Sequence, residues 1–366
     1  MSNWTIDDPS AHFQIATYTG AGSTVVAVTN DGNSDLQPDF LWLKRRDSAG
    51  GNALVDTSRG ANVTSGFGPT GYSFVLNSNS TASEVADNTG IMTITSDGFT
   101  AKELTYAGGN TNTGDMVAWQ WKAAGGTTTN QTGANIDSVT QANTTAGFSI
   151  VTYTGNGGTG QSVKHGLGTT PKMIWVKRRN GTGDWFVYTA SLGNTKHMHL
   201  NTDAAVATTS DFGNYGPDAT SFFVNNTGTC VNDETYVAYC FASIQGYSKF
   251  DYYTGTGNAD GPFVYCGFKP KMVVIRNTTN SGYNWWILDG ARNPHNFTDE
   301  VMYTNLTAAE YDGSGHATNM GVDLYSNGFK IKTSNTAVNN NGAHNIYMAW
   351  AESPFTSSEG VPTTAK

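Results

Sequence analysis

Charge is scarce in this chain, at 13% of residues, and the thiols are only three, Cys230, Cys240 and Cys266. An odd number of cysteines without a regular framework excludes a small disulfide-stapled domain. Free thiols in a reducing cytoplasm are the expectation, with a Cys240–Cys266 bond as the alternative. No apolar run approaches the roughly 20 residues that cross a bilayer as a helix, so no membrane insertion is expected. The opening Met1-Ser-Asn-Trp-Thr-Ile-Asp-Asp-Pro9 has neither the basic segment nor the apolar segment of a secretory signal. Net charge is −9 and no basic stripe exists, so nucleic acid is not an expected partner. The two basic clusters, Lys44-Arg45-Arg46 and Lys177-Arg178-Arg179, each follow a strand-like run and read as solvated strand ends.

What the chain does have is 17 Tyr, 17 Phe, 9 Trp and 43 Gly, with abundant Thr and Asn. Aromatic and β-branched residues between glycine-containing turns predict short strands. One order of features occurs three times. A strand ending in Tyr-Thr-Gly opens each copy, at Tyr18, Tyr153 and Tyr253. A proline and an apolar strand ending in a base follow: Pro38 to Lys44, Pro171 to Lys177, and Pro270 to Arg276. A third strand ends near Asp56, Tyr188 and Asp289. The closing strands align on Met116-Val-Ala-Trp119, Tyr236-Val-Ala-Tyr239 and Tyr347-Met-Ala-Trp350. This spacing is that of whole small domains rather than solenoid units. The expected architecture is all-β, with tandem β-sandwich domains of jelly-roll or lectin-like kind at 1–124, 146–243 and 244–366. A Gly/Thr/Asn-rich linker is expected at 125–145. Helix is expected to be minor, with its best signal at Asn305 to Tyr311.

No catalytic motif is present: no Gly-x-Ser-x-Gly elbow, no P-loop and no His-Glu-x-x-His. His197-Met-His199 puts two imidazoles on one strand face, a spacing that could chelate a metal. Without a carboxylate or thiol at ligand spacing, the pair reads as solvent-facing, and no metal or cofactor is expected. His165 reads as a turn residue. Asp56 and Asp289 occupy matching places, and as a carboxylate pair they would suit a glycosidase. The middle copy lacks the acid, so a turn-capping role is the expectation and no enzyme is predicted.

The stretches His165-Gly-Leu-Gly-Thr-Thr-Pro-Lys-Met-Ile-Trp-Val-Lys-Arg-Arg179, Tyr236-Val-Ala-Tyr-Cys-Phe241 and Ala259-Asp-Gly-Pro-Phe-Val-Tyr-Cys-Gly-Phe268 resemble a repeat of tailed-bacteriophage structural proteins. That repeat is a domain of unknown function in tail fibre and virion proteins, marine ones especially. The resemblance implies a non-enzymatic virion protein assembled in the host cytoplasm and displayed on the particle surface. A tail-associated host-recognition adhesin is the first expectation. A capsid decoration or head-fibre protein is an alternative, and a glycan-binding or glycan-degrading protein another. Other virion proteins and a host-surface glycan are the implied partners. The aromatic content predicts some Trp on the outside and self-association, as in a trimer. Contact loops are expected at Asn62 to Asn88, Asp203 to Asp218 and Asp312 to Met320, with Tyr72, Tyr215 and His316 as candidate binding residues.

Overall fold

In the computed structural model, which describes residues 6–59, 73–87, 93–102, 112–313 and 320–355, nearly all regular structure is antiparallel β-sheet. Among these residues helix is limited to a turn at Pro9–Ala11 and to α1 (Thr336–Asn339). Asn305 to Tyr311 is not helical. Its backbone groups are committed elsewhere: Glu310 N–H donates to Arg46 O, and Thr307 O accepts from Gly50 N–H.

In the first repeat, β1 (Phe13–Thr19), β3 (Phe40–Arg45), β4 (Asn52–Asp56), β5 (Ser73–Asn77), β6 (Val85–Asp87) and β9 (Asp115–Trp121) form a sheet. Its order is β1-β9-β3-β4-β5-β6. A small sheet, β2-β8-β7, comes from β2 (Val26–Val28), β7 (Thr93–Thr95) and β8 (Gly98–Ala101). The second repeat has β12 (Phe148–Thr154), β14 (Met173–Arg178), β15 (Phe186–Thr189), β16 (Lys196–His199), β17 (Ala207–Thr208) and β19 (Thr235–Phe241). They take the same order, β12-β19-β14-β15-β16-β17, with β13 (Gln161–Lys164) and β18 (Ser221–Val224) as the small sheet. The third has β20 (Ser248–Thr254), β22 (Phe268–Asn277), β23 (Trp286–Asp289), β24 (Glu300–Tyr303), β25 (Tyr311–Asp312) and β28 (His344–Pro354). Its order is β20-β28-β22-β23-β24-β25, beside a small sheet β21-β27-β26 made by β21 (Phe263–Tyr265), β26 (Val322–Tyr325) and β27 (Gly328–Ile331).

Two readings of the sequence need correction. Residues expected as a linker carry β10 (Thr129–Gln131) and β11 (Ser138–Asn143), which extend the second large sheet beyond β12. The polar composition is that of an edge hairpin, and β10 is mostly exposed. The closing motif of the third copy is also displaced. Tyr18 pairs with Met116 and Tyr153 with Tyr236, but Tyr253 pairs with Asn345. Trp350 therefore corresponds to Trp121 and Phe241, and Met348 to Trp119 and Tyr239. A slip of two residues keeps every side chain on its face, so apolar alternation could not reveal it.

Each large sheet buries both faces. In β3, Leu41 and Leu43 join a cluster with Val28 and Phe99 of the small sheet, while Phe40 and Trp42 point the other way. That second face opens into one cluster drawn from all three repeats, so the centre is shared. It includes Trp42, Trp119, Trp121, Trp175, Trp185, Trp285 and Trp350. Trp42 meets Trp175 at 5.6 Å between ring centroids, Trp121 meets Trp350 at 5.3 Å, and Phe40 meets Tyr239 at 4.4 Å. Burial on both faces explains the unbroken apolar runs of β3, β14 and β22. It also corrects the expectation of external tryptophan. All eight described Trp are buried, and Trp4 lies outside the described residues. The three thiols are buried and form no disulfide, with Cys240 and Cys266 in the clusters of different repeats.

Candidate functional site

A set of buried polar and charged groups serves the seams between repeats. The base that ends the second strand of each copy reaches a carbonyl of the neighbouring repeat. Lys44 Nζ donates to Leu306 O at 3.0 Å, Lys177 Nζ to Thr81 O at 2.9 Å, and Arg276 Nη2 to Ala204 O at 2.6 Å. Lys44 and Lys177 are thus buried rather than solvated, and burial pushes each ammonium down to about 8. The third-strand entry repeats as well. Trp185 Nε1 donates to Asn77 O, Trp285 Nε1 to His199 O, and Asn52 Nδ2 to Tyr303 O. The donors run from repeat two to one, three to two, and one to three, so the contacts close a ring.

Two seams carry buried ion pairs, whereas the third has the buried Arg276 without a buried carboxylate partner among the described residues. At the first, Arg59 binds Asp56 at 2.6 Å and Glu84 at 2.8 Å, Arg179 of repeat two binds Glu84 at 2.9 Å, and Tyr239 OH donates to Asp56 at 2.7 Å. At the second, Arg292 binds Asp289 at 2.7 Å and Glu310 at 2.6 Å, Arg46 of repeat one binds Glu310 at 2.7 Å, and Trp119 Nε1 donates to Asp289 at 3.0 Å. Strand register identifies the counterparts at the third seam as Thr189, Leu192, Val206, Thr278 and Met348. The same backbone bond marks all three: Glu84 N–H to Arg179 O, Glu310 N–H to Arg46 O, and Val206 N–H to Thr278 O. Asp56 and Asp289 also accept from the backbone N–H of Arg59 and Arg292, as turn caps do.

Glu300, beside Arg46, has its carboxyl pushed up to about 7 by burial and by the charge of Glu310. A raised carboxyl binds its proton more tightly in the folded state. Its stabilising contribution is complete below the ordinary glutamate value of 4.5 and is lost as pH rises through about 7. Glu300→Gln is expected to flatten the fall in melting temperature between pH 5 and 8, as followed by calorimetry at roughly unit pH steps.

With the seams accounted for, the repeats act as controls for one another, and three places depart from the common plan. The β10–β11 hairpin has no counterpart among the described residues and borders a polar cleft of about 660 Å³ lined by Asn130, Gln131, Asn135, Asp137, Thr152 and Asn156 among others. His197 is buried at the position of Val75 and Val301, and its Nε2 lies 2.8 Å from Nε2 of His199. The third departure is the outer face of β21-β27-β26. Phe263, Tyr265 and Tyr325 stand there 47%, 54% and 36% exposed, where register puts Ala27, Thr29 and Thr95 in repeat one. Phe263 and Tyr325 meet edge-on at 6.0 Å. Lys249 Nζ lies 5.6 Å from the centre of the Tyr265 ring, and Lys330 pairs with the exposed Asp260 at 2.7 Å. Gly328 lies between the tyrosines, and a Cβ there would fall 2.1 Å from Val264 O.

A family described as a domain of unknown function (DUF7483) matches residues 8–354. The chain belongs to that family. No curated protein and no solved structure matches it. The DUF7483 match runs from the first helical turn to the last residue of β28, so it takes in all three repeats together with their seams.

Of the binding residues expected from the sequence, Tyr215 is exposed, with its ring 5.2 Å from Phe223 on the small sheet of repeat two. Tyr72 and His316 lie outside the described residues. His165 is a buried turn residue whose Nδ1 accepts from Leu167 N–H and whose Nε2 reaches Asp218 O. The aromatic face of this DUF7483 chain was not anticipated. Its signal was available in Phe263-Val-Tyr265, where alternate residues share a face, once set against Ala27-Val-Thr29.

Proposed function

We propose that this protein is a non-enzymatic structural protein of a bacteriophage virion, displayed on the particle surface as a tail-associated host-recognition adhesin. In this reading each repeat is a lectin-like β-sandwich, other virion proteins hold the chain on the particle, and a host-surface glycan is its ligand. The observation that carries the reading is the trio Phe263, Tyr265 and Tyr325 on an outer sheet face of a protein whose described tryptophans are all buried. Aromatic faces cover the apolar C–H face of a sugar ring, while Lys330, Asp260 and Asp323 beside them can bond its hydroxyls. Neither interaction needs a titrating catalytic group.

The test substitutes what repeat one carries at the same positions: Phe263→Ala, Tyr265→Thr and Tyr325→Thr. The sheet is expected to fold unchanged, since repeat one builds it with these residues. At about 0.5–1.5 kcal/mol per aromatic contact, the triple variant should bind host-cell glycan at least tenfold more weakly. Particles carrying it should adsorb correspondingly slowly, and immunogold labelling should mark the tail. Unchanged adsorption by the triple variant overturns the glycan contact, and labelling spread over the capsid overturns the tail placement.

A further inference from the structure

The opening strands β1, β12 and β20 take equivalent places in the three repeats, but among the described residues only β12 is covered by a further strand, β11. β11 runs antiparallel to β12, with Ser138 opposite Tyr153 and Gln141 opposite Ile150. Its side chains hold it to both walls. Ser138 Oγ donates to Lys164 O at 2.8 Å, and Gln141 Nε2 donates to Ser58 Oγ of repeat one at 2.9 Å. In repeat one a groove of about 420 Å³ runs along β1 at the matching place, lined by Ile15, Tyr18, Ala27, Thr29, Gly290 and Ala291 among others. A cleft of about 260 Å³ continues it past Phe13 and Gln14. At the two ends of the β1–β9 ladder, His12 O accepts from Lys122 N–H, and Gly20 bonds Gly114 and Thr113 through both its backbone groups. Two-residue alternation then turns Gln14, Ala16 and Tyr18 toward β9, and the N–H and C=O of Phe13, Ile15 and Thr17 toward the groove. Register puts Thr29 O where repeat two has Lys164 O and repeat three has Tyr265 O. Lys249 Nζ donates to Tyr265 O at 2.7 Å, as Ser138 does to Lys164 O, whereas Thr29 O has no partner among the described residues.

We infer that β1 accepts an extended segment of a partner polypeptide as an added antiparallel strand, in the place that β11 holds in repeat two. Unpaired strand edges recruit strands in this way, the main chain supplying affinity and alternate side chains specificity. The chemistry of the segment follows from the walls of the groove. A Ser or Thr opposite Tyr18 reaches Thr29 O, as Ser138 reaches Lys164 O from opposite Tyr153. The residue opposite Ile15 meets Gly290 and Ala291, which stand where Thr57 and Ser58 stand beside Gln141. Those two hydroxyls satisfy the Gln141 amide, and Gly290 and Ala291 have none to offer. An aliphatic side chain therefore belongs there, since a buried amide without partners is costly. The groove shares no residue with the aromatic face of β21-β27-β26 and does not depend on what that face binds.

The probes are two fluorescein-labelled peptides added to the full chain: residues 135–144 of its own sequence, and the same peptide with Gln141→Val. Fluorescence anisotropy is expected to show saturable binding of one peptide per chain, with the Val form about fivefold tighter. Hydrogen exchange should slow at the amides of Phe13, Ile15 and Thr17, and not in β12 or β20. Thr17→Pro removes one groove-facing N–H and leaves the β9 ladder intact, as edge strands allow. It should weaken binding about fivefold, the worth of one hydrogen bond. Gly290→Thr with Ala291→Ser rebuilds the wall that Gln141 meets in repeat two and should reverse the preference toward the Gln peptide, a readout that does not rely on the proline variant folding. The inference is overturned if neither peptide binds, if protection falls on β12 or β20 instead of β1, or if the preference between peptides ignores the altered wall.

Discussion

Arg59→Ala is expected to lower stability by about 3–5 kcal/mol, the usual consequence of leaving a buried ion without its partner. Asp56 and Glu84 would remain in the seam, Asp56 with the backbone N–H of residue 59 and Tyr239 OH as donors but no cation, and Glu84 with Arg179 alone. Replacing the whole set should behave very differently. Asp56→Thr, Arg59→Leu, Glu84→Val, Arg179→Thr and Tyr239→Met together rebuild the arrangement at Thr189, Leu192, Val206, Thr278 and Met348. At that seam Leu192 and Val206 pack on the central cluster with no ion among the five. Buried ion networks exchanged for apolar residues of similar volume commonly come out neutral or more stable. The quintuple variant is therefore expected within about 2 kcal/mol of the parent, although it contains a substitution at Arg59. Denaturant midpoints of the parent, single and quintuple proteins check this, and a quintuple variant less stable than Arg59→Ala refutes it.

Repeat one expressed alone, as residues 6–124, is expected to assemble into a closed trimer. Its central face holds Trp42, Trp119 and Trp121, all buried in the intact chain. A monomer would expose them as a large apolar patch. Repeat one also carries both halves of the charged seam: Asp56, Arg59 and Glu84 on one side, and Arg46, Lys44 and Trp119 on the other. Three copies can satisfy one another by rotation, as heterologous contacts do when the ring closes. Repeat two lacks the acidic half, having Thr189 and Val206, and repeat three lacks the donor half, having Thr278 and Met348. Neither is expected to close on itself through ions. Sedimentation equilibrium decides the matter, and a soluble, folded monomer of repeat one would refute it.

Strands buried on both faces were legible because an apolar run depends on neighbours alone: Phe40-Leu-Trp-Leu43 can be read from four residues. The seams were not legible. Lys44 reads as a solvated strand end because its acceptor, Leu306 O, lies 262 positions away. The shift of the third closing strand was hidden because a two-residue slip preserves parity. The β10–β11 hairpin passed for a linker because an exposed edge strand and a flexible tether share a polar composition. For the candidate site, Phe263 and Tyr265 were readable as strand residues. That both face outward beside Tyr325 depends on pairing with β27, which sequence spacing does not supply. For the histidines, local spacing put the two rings on one face, but the carboxylate that meets His197, Asp211, comes from a separate loop.

The uneven distribution of charge among the seams sets an order of disassembly. Among the described residues, repeat one has buried ion pairs at both of its seams, and repeats two and three at one each. Glu84 is held below its ordinary value despite burial by Arg59 and Arg179, as Asp289 is by Arg292, and Glu310 by Arg46 and Arg292. Their contributions are complete above the ordinary values of 4.5 for glutamate and 3.8 for aspartate, and fade as pH falls through the depressed ones. The Thr189–Leu192–Val206 seam has no buried carboxylate among the described residues, its nearest acid being the exposed Asp203. Acid therefore loosens repeat one along both flanks while the second and third stay clasped, and hydrogen exchange at low pH should release β3 and β9 before β14 and β22. The chain comes apart as one plus two.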